Sequence, residues 1–582
     1  MSSRSGKNAS AAALAAILVT ATSGRAQDNL VQFIDEATAT NDAALGAWGY
    51  DPATDSAYVA SFGATGSLRH ITNVTSGAPQ VAKTMVSEAQ WNLYYRDGDP
   101  NTSAGAQLPG GLLLNPLTIG SGTTSIAPYS RAWIIDGVRV PASGAINATR
   151  SKRLYDYNLQ MVMPNPMPGN IPKEPPFYDG RDVFTTKVTL ADMNAAAGQP
   201  PDNATSNVSR QFAWSSDGQS VYFVDSSTPL GGVWKANAQS GAISRLYANS
   251  ELLSEPAVRQ ASPGTDRIFF RGSVATGNTS SGIDYIDHDG TNTTAPATLI
   301  SGQAVLDFME TSATNINVTA VAADANGDLY FNVSGGSGTL GTLRRNVLRL
   351  DAQGRLSKVL AYNERDLFYT GEVGGATNPT ANVSKMQPRT ATYVGGTGSF
   401  SLTQVMYAEQ STLNRIGGFW AFKAGDFDRD NDVDQSDVAL FKSKLTVRGQ
   451  QVADALDLKF DLTGNNAVDW KDVKTLQQFY AFPDGDANID RSVNLSDFNA
   501  LASNFGQSAR LWTHGDFNGD EVVNLIDFNI LASHFGQSAS GPTVTPDDWA
   551  RLGAAVPEPA AAAMLSLITT SLVLRRRQRR AV

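Results

Sequence analysis

The sequence predicts a multidomain chain with a mainly β N-terminal region, followed by small α-helical modules and a C-terminal hydrophobic helix. Three observations lead to this prediction. Glycine and proline number 52 and 26 among 582 residues, which favours turns over long helices. Short apolar runs alternate with polar turns over residues 27–421. A twelve-residue acidic frame then recurs four times, each time ahead of apolar residues at helical spacing.

The composition excludes several classes of site. The chain has no cysteine, so it forms no disulfide, thiolate metal site, iron–sulfur cluster or cysteine nucleophile. A formal net charge of −10 argues against nucleic-acid binding, because neutralising phosphates requires clustered basic residues. No nucleophile elbow, phosphate loop, zinc signature or dinucleotide fingerprint occurs in its expected context. We therefore assign no catalytic residue.

Residues 1–26 are typical of a secretory signal peptide. Arg4 and Lys7 precede an apolar stretch over residues 11–21, and small residues lead up to Ala26. We expect cleavage near Ala26 and export of the mature protein. A membrane anchor or a buried helix is the alternative.

Residues 27–421 are expected to form a β-propeller, with a two-sheet β-sandwich as the alternative. Within residues 212–246, four short apolar runs are separated by turn residues, as in four strands joined by hairpins. Similar turns at residues 217, 264 and 326 lie 47 and 62 residues apart, which suits about six to eight blades with variable loops. The unit at 212–246 resembles a TolB-type or WD40-like blade.

The recurring frame places oxygen-bearing side chains at positions 1, 3, 5, 9 and 12 of every copy. Calcium takes six to eight oxygen ligands at about 2.3–2.6 Å, and a loop with this spacing can supply them, position 7 through its backbone carbonyl. Position 8 is always valine, which we expect to point away from the ion and to be buried where two adjacent loops pair. We therefore predict up to four Ca²⁺ ions. The predicted ligands are Asp426, Asp428, Asp430, Asp432, Asp434 and Asp437; Asp461, Thr463, Asn465, Ala467, Asp469 and Asp472; Asp486, Asn488, Asp490, Ser492, Asn494 and Asp497; and Asp516, Asn518, Asp520, Val522, Asn524 and Asp527.

Two positions differ from an ordinary EF-hand. Position 12 is aspartate rather than glutamate, and position 6 is Asn431, Asn466, Arg491 or Glu521 rather than glycine. If position 6 takes a left-handed backbone, asparagine tolerates it, whereas Arg491 and Glu521 store strain of about 1 kcal/mol. The second copy has the fewest carboxylates, so we expect it to bind calcium most weakly.

The four frames, each followed by one helix, resemble dockerin type I repeats. The resemblance covers about residues 424–540 and implies two tandem pairs, 422–483 and 484–541, that fold on binding calcium and can dock a cohesin-like partner. Cohesin recognition uses polar residues at positions 10 and 11; here only the first copy has the conventional pair, Gln435 and Ser436. The alternatives are repeats that only stiffen the chain, and acidic turns that bind nothing.

The C-terminus has a distinct order of segments after a linker over residues 542–555. The motif Val556, Pro557, Glu558 and Pro559 is followed by an uncharged run over residues 560–574 and then by five arginines. As a helix this run rises about 22 Å, less than the ~30 Å hydrocarbon core, which makes it a marginal anchor with its arginines on the cytoplasmic side. Residues 556–582 resemble a PEP-CTERM sorting tail, which implies an exosortase-type processing enzyme as partner. An ordinary tail anchor is the alternative.

These features predict an exported, calcium-binding protein of the cell envelope, cell surface or extracellular matrix. The tail would anchor it transiently in the inner membrane, and the β region would bind a polysaccharide or protein ligand without catalysis. The alternative is a secreted polysaccharide-degrading glycoside hydrolase whose catalytic domain lies in residues 27–421 and whose dockerin modules recruit it to a complex.

Overall fold

The computed structural model describes most of the β region and all four frames. The described residues are 30–39, 44–62, 67–87, 111–119, 125–135, 152–159, 184–200, 208–225, 229–249, 256–272, 281–310, 316–335, 346–362, 364–365, 368, 382–395, 398–410 and 415–538. The predicted signal peptide, linker, sorting motif and C-terminal helix lie outside them.

Within these residues, 24 strands form six antiparallel sheets of four strands each. The first three sheets are β2 (Ala44–Asp51), β3 (Ser56–Phe62), β4 (Ser67–Thr72), β5 (Gln80–Ser87); β6 (Gly111–Leu114), β7 (Arg131–Ile135), β8 (Lys152–Asn158), β9 (Phe184–Thr189); and β10 (Val208–Trp214), β11 (Ser220–Asp225), β12 (Gly232–Asn237), β13 (Ile243–Ala248). The others are β14 (Ala257–Ser262), β15 (Thr265–Arg271), β16 (Ile283–His288), β17 (Ala297–Ile300); β18 (Ile316–Ala323), β19 (Leu329–Gly335), β20 (Asn346–Leu350), β21 (Leu356–Leu360); and β22 (Asn382–Gly395), β23 (Gly398–Gln410), β24 (Arg415–Trp420), β1 (Leu30–Ile34).

The six sheets are the blades of a β-propeller. The first strand of each blade contacts that of the next, in the order β2, β6, β10, β14, β18 and β22, and β22 in turn contacts β2. The ring is therefore closed, which confirms the propeller over the β-sandwich. Its last blade is completed by β1, which pairs antiparallel with β24 and places Leu30 opposite Phe419.

The propeller core lies between neighbouring blades, where apolar side chains of adjacent sheets meet. Trp133 and Trp214 pack edge to face between the second and third blades, with ring centroids 5.8 Å apart. Phe223 stacks on Trp234 in the same cluster, with centroids 6.4 Å apart. The strands predicted within residues 212–246 are β10 to β13, so the short apolar runs separated by turn residues identified this blade correctly.

Seven α-helices lie within the described residues. They are α1 (Glu36–Ala39), α2 (Leu190–Ala196), α3 (Gly302–Phe308), α4 (Gln435–Lys442), α5 (Trp470–Tyr480), α6 (Leu495–Asn504) and α7 (Leu525–His534), with 3₁₀ helices at Ala455–Phe460 and Trp512–His514. Each of α4 to α7 begins inside one acidic frame, as the apolar spacing predicted. A search of the described residues for a helix long and apolar enough to cross a membrane finds none.

The contacts divide the described chain into two compact units. The first contains residues up to 432 together with 452–466, and the second contains 433–451 and residues from 467 onward. The first unit thus includes segments of the repeat region that pack against the fifth blade. The backbone N–H of Lys358 donates to Leu462 O at 2.7 Å, and Asn346 Nδ2 donates to Gly464 O at 2.8 Å.

Candidate metal centres

The four frames fold alike where each helix begins. Position 9 is the N-cap of the helix in every copy, and its side-chain oxygen accepts a hydrogen bond from the N–H of position 11. The aspartate at position 12 accepts the backbone N–H of position 9 at 2.9 Å in all four copies. These capping boxes join Asp434 to Asp437, Asp469 to Asp472, Asn494 to Asp497, and Asn524 to Asp527. Helix capping alone therefore accounts for the polar residues at positions 9 and 12.

The aspartate at position 1 organises the loop that precedes the helix. Its carboxylate accepts the backbone N–H of position 6 in every copy, at distances from 2.7 to 3.1 Å. The donor and acceptor pairs are Asn431 and Asp426, Asn466 and Asp461, Arg491 and Asp486, and Glu521 and Asp516. These carboxylates are buried, so the loop is built around a negative charge.

Position 6 is left-handed in all four copies. Its φ values are 76° at Asn431, 63° at Asn466, 74° at Arg491 and 66° at Glu521. Arg491 and Glu521 therefore occupy the conformation for which the sequence predicted strain.

Position 4 is left-handed as well, with φ of 65° at Arg429, 84° at Gly464, 55° at Ile489 and 75° at Gly519. The sequence did not indicate this second left-handed position. Only two copies carry glycine there, and a β-branched residue such as Ile489 rarely adopts positive φ.

The fourth frame brings three carboxylates together. Asp516, Asp520 and Asp527 each offer an oxygen, and these atoms lie within 4.8 Å of one another. Asp516 and Asp527 are buried, with 2% and 0% of their surface exposed. Burial raises the pKa of Asp516 to about 6, and it also raises the pKa of Asp527. A cation at this site would offset both the desolvation and the mutual repulsion.

The third frame has the same buried pair at positions 1 and 12. Burial and then the charge of Asp497 raise the pKa of Asp486 to about 7, and burial raises the pKa of Asp497 to about 6. At position 3, Asn488 donates through Nδ2 to Asp490 at position 5, at 2.9 Å. Among the described acidic groups, the three carboxylates of this frame do not come within 4.8 Å of one another as those of the fourth frame do. Ser492, at position 7, donates its backbone N–H to Asp490 at 3.0 Å.

In the first frame, as in the fourth, three carboxylates come together. Oxygens of Asp426, Asp428 and Asp430 lie within 4.8 Å of one another.

The residue at position 7 differs in exposure between the first two copies. Asp432 is exposed, whereas Ala467 is fully buried.

The second frame is the poorest in charge, and its first aspartate is held by hydrogen bonds within the loop. Asp461 accepts hydrogen bonds from the backbone N–H groups of Gly464 at 2.6 Å and Asn466 at 2.9 Å. The hydroxyl of Thr463 also lies 3.2 Å from it. Burial raises the pKa of Asp461, while the positive charge of Lys358 opposes the shift. Asn465, at position 5, is partly exposed.

The valines at position 8 are buried in the last three copies, but their pairing differs from the prediction. Val493 donates its backbone N–H to Gln537 O at 2.9 Å, and Val523 donates to Gln507 O at 3.1 Å. Each valine thus pairs with the segment that follows the helix of the other copy. The expectation that the two loops pair directly was wrong, because each loop pairs instead through a single bridge, Ser492 with Ser538 in the third copy and Val522 with Ser508 in the fourth.

The first two copies pack against the last two within the second unit. Side chains of the first pair donate to backbone carbonyls at positions 2 to 4 of the third and fourth loops. The four bonds run from Gln435 to Ile489 O at 2.9 Å, from Lys442 to Asn488 O at 2.6 Å, from Trp470 to Phe517 O at 2.9 Å, and from Arg448 to Gly519 O at 2.8 Å. Gln435 and Trp470 occupy position 10, so the positions expected to face an outside partner make contacts inside the chain.

Comparison with known proteins leaves the family open. No protein family matches the chain, and no curated protein matches it either. Solved structures that match include the putative TolB of Agrobacterium tumefaciens, 12% identical over 55% of this chain and 81% of that one, with a TM-score of 0.31. An α-L-arabinanase of Penicillium chrysogenum complexed with arabinobiose is 11% identical over 67% and 97%, with a TM-score of 0.36. A luciferin-regenerating enzyme is 8% identical over 67% and 94%, with a TM-score of 0.34. The dockerin and PEP-CTERM resemblances stay predictions.

Proposed function

We propose that this chain is an exported calcium-binding protein of the cell envelope, cell surface or extracellular matrix, whose propeller binds a polysaccharide or protein ligand without catalysis. The observation that carries the calcium proposal is the fourth frame. Two buried carboxylates, Asp516 and Asp527, lie with Asp520 in one group whose oxygens are within 4.8 Å of one another. Several charges of one sign in a buried loop cost free energy unless a cation balances them.

Helix capping explains only part of the repeated pattern. Positions 9 and 12 form the capping box, but positions 1, 3 and 5 lie ahead of the helix and still carry oxygen-bearing side chains in every copy. A cation accounts for all five positions together.

The chemistry of the ligands favours calcium. Every predicted side-chain donor is oxygen, with no histidine or cysteine among them, which disfavours zinc and copper. Magnesium demands a near-ideal octahedron, whereas calcium accepts a flexible shell of six to eight oxygens. We propose that up to four ions bind, most weakly in the second frame, where Thr463 and Asn465 replace carboxylates.

The location and partners rest on the two ends of the sequence. Residues 1–26 would direct export, and the motif Val556 to Pro559 with its hydrophobic run would bring the chain to an exosortase-type enzyme at the inner membrane. A cohesin-like partner is proposed only for surfaces that the repeats leave exposed, because Gln435 and Trp470 are engaged within the chain.

The test is the response of helix α7 to calcium in the full-length protein, measured by amide hydrogen exchange. We expect calcium to slow exchange across α7 in the unmodified protein and to have little effect there in Asp516→Asn. Glu521→Gln is the matched control, since it removes a charge from the same loop at a position that is not a predicted ligand, and it should respond like the unmodified protein. Equal responses of Asp516→Asn and Glu521→Gln would contradict the proposal.

A second experiment tests the absence of catalysis. Release of reducing sugar from a panel of polysaccharides by the protein would favour the alternative, a glycoside hydrolase.

A further inference from the structure

The third and fourth blades meet across an apolar cluster that includes Tyr222, Ile268 and Ile286. A polar contact lies beside it, where Lys235 of β12 reaches His288 at the end of β16. Lys235 Nζ is 3.0 Å from the imidazole Nε2, and His288 is only 4% exposed. We propose that this Lys235–His288 contact is a proton-sensitive switch, which stabilises the interface of the two blades while the imidazole is neutral and destabilises it once the imidazole is protonated.

The partners of the ring fix its protonation state. A lysine ammonium has three donors and no acceptor, so His288 Nε2 has to accept the hydrogen bond from Lys235. The other ring nitrogen, Nδ1, lies 3.0 Å from Thr293 Oγ1 and carries the single hydrogen of the neutral ring. A proton added to Nε2 would place two positively charged donors face to face. The contact therefore exists only with a neutral imidazole.

The charged and titratable groups around His288 come from both blades. Lys235 approaches from the third blade, and Asp266 of β15 lies opposite His288 in the strand register of the fourth. Asp289 follows His288 in the chain. Tyr222 of β11 packs edge to face against the imidazole, with ring centroids 6.4 Å apart, and its hydroxyl donates to Asp266 at 2.8 Å. The carboxylate of Asp266 is thus already engaged by the third blade.

The balance of these groups favours the neutral imidazole. Burial and the charge of Lys235 lower the pKa of His288 below its ordinary value of 6.5, and they outweigh the carbonyl of Asn292 and the carboxylates of Asp289 and Asp266, which raise it. The folded state then binds fewer protons than the unfolded state just below pH 6.5. The stability that this contact contributes is therefore present above that pH and is lost as the pH falls through the folded pKa.

The experiment is amide hydrogen exchange of the calcium-loaded full-length protein at pH 8 and pH 5, with protection factors corrected for intrinsic exchange. Strands β11 and β16 carry the interface and are the readout. We expect their protection to fall by about tenfold or more at pH 5, as the loss of one hydrogen bond to a charged group implies. Strands β19 and β20 of the fifth blade contain no histidine and should change less.

Three variants separate this switch from other effects of acid. His288→Gln keeps an oxygen that can accept from Lys235 but takes up no proton, so protection of β11 and β16 should no longer fall at pH 5. Lys235→Met keeps an apolar side chain without the charge, so His288 can be protonated without repulsion and the fall should be smaller. His70→Gln is the matched control, because His70 of β4 lies opposite Lys83 of β5 in the first blade. This variant should respond to acid like the unmodified protein.

Each outcome decides the proposal. Unchanged protection of β11 and β16 between pH 8 and pH 5 would overturn it, as would a full response to acid in folded His288→Gln or Lys235→Met. A response that is lost in His70→Gln would assign the effect to the first blade and would also overturn it. If His288→Gln does not fold, nitrogen NMR of the histidine rings gives a second measurement. The proposal requires the hydrogen of His288 on Nδ1 at pH 8, and a hydrogen on Nε2 would refute it.

Discussion

The carboxylates of Asp516 and Asp527 are buried and have oxygens within 4.8 Å of each other, although these residues are the first and the last of the twelve-residue frame. Asp527 reaches this position because it belongs to the capping box that begins helix α7. Asp516 is held there by the backbone N–H groups of Gly519 and Glu521, at 2.9 Å each. Local hydrogen bonding thus creates a pair of buried acids that a cation would stabilise.

The raised pKa values predict how the stability of the metal-free repeats depends on pH. The folded pKa of Asp486 is about 7 and those of Asp497 and Asp516 are about 6, above the ordinary value near 4. The folded state then binds more protons than the unfolded state between about pH 4 and 7, so stability falls as pH rises through this window. We expect protection factors of α6 and α7, corrected for intrinsic exchange, to be lower at pH 8 than at pH 5 without calcium.

Calcium should reverse this trend, because the ion binds the deprotonated carboxylates. The gain in protection on adding calcium should be largest at pH 8. Protection that rises with pH in the metal-free protein would show that these acids are not buried as described.

The left-handed backbone at position 6 predicts a stabilising substitution. Glu521 has a φ of 66°, a conformation that glycine adopts without steric cost. We expect Glu521→Gly to raise the free energy of unfolding by about 1 kcal/mol relative to Glu521→Ala. Both variants remove the same charge, so the comparison isolates the backbone. Chemical denaturation of the calcium-loaded protein measures the difference, and equal stabilities would argue against a strained loop.

The packing of the first pair on the second predicts a cost for losing Gln435. Its side-chain amide donates to Ile489 O and to the hydroxyl of Tyr480, both at 2.9 Å. Gln435→Ala should destabilise the repeats by about 1 to 2 kcal/mol, because both bonds are lost. Ser436→Ala, at the neighbouring exposed position, should have little effect. If both variants lose the same stability in urea denaturation, position 10 is not an internal contact.

The packing of β1 on β24 predicts that any side chain larger than hydrogen at position 418 would clash. A Cβ added to this residue of β24 would lie 2.5 Å from the Phe33 ring of β1. Gly418→Ala should lower the thermal stability of the propeller, with an overpacking cost of about 1 to 3 kcal/mol. Phe33→Leu in the Gly418→Ala background should restore part of that loss, since it removes the clashing ring atoms. If the stability changes of the two substitutions are additive in a double-mutant cycle, the two residues do not contact each other.

The sequence predicted those features whose cause is local. The short apolar runs within residues 212–246 predicted the strands of one blade, because the turn residues that separate such runs mark hairpins locally. The spacing at positions 1, 3, 5, 9 and 12 located each loop and the start of its helix, because capping and loop geometry involve residues close in sequence.

Features that depend on distant partners could not be predicted. The pairing of Leu30 with Phe419 closes the ring between the two ends of the β region, and no local signal marks it. The pairing of Val493 with Gln537 and of Val523 with Gln507 likewise joins segments of different copies, which no local pattern marks. The contact of Trp470 with Phe517 O also needed the structure, since it joins residues of two different copies and no local pattern marks it.

The most direct test of the calcium proposal is the number of ions that one chain holds. The metal-stripped full-length protein would be dialysed to equilibrium against calcium at neutral pH, and the bound ions counted by atomic spectroscopy. We predict three or four calcium ions per chain, the last bound most weakly, and one fewer in Asp516→Asn. A folded protein that takes up no calcium at millimolar concentration would contradict the account.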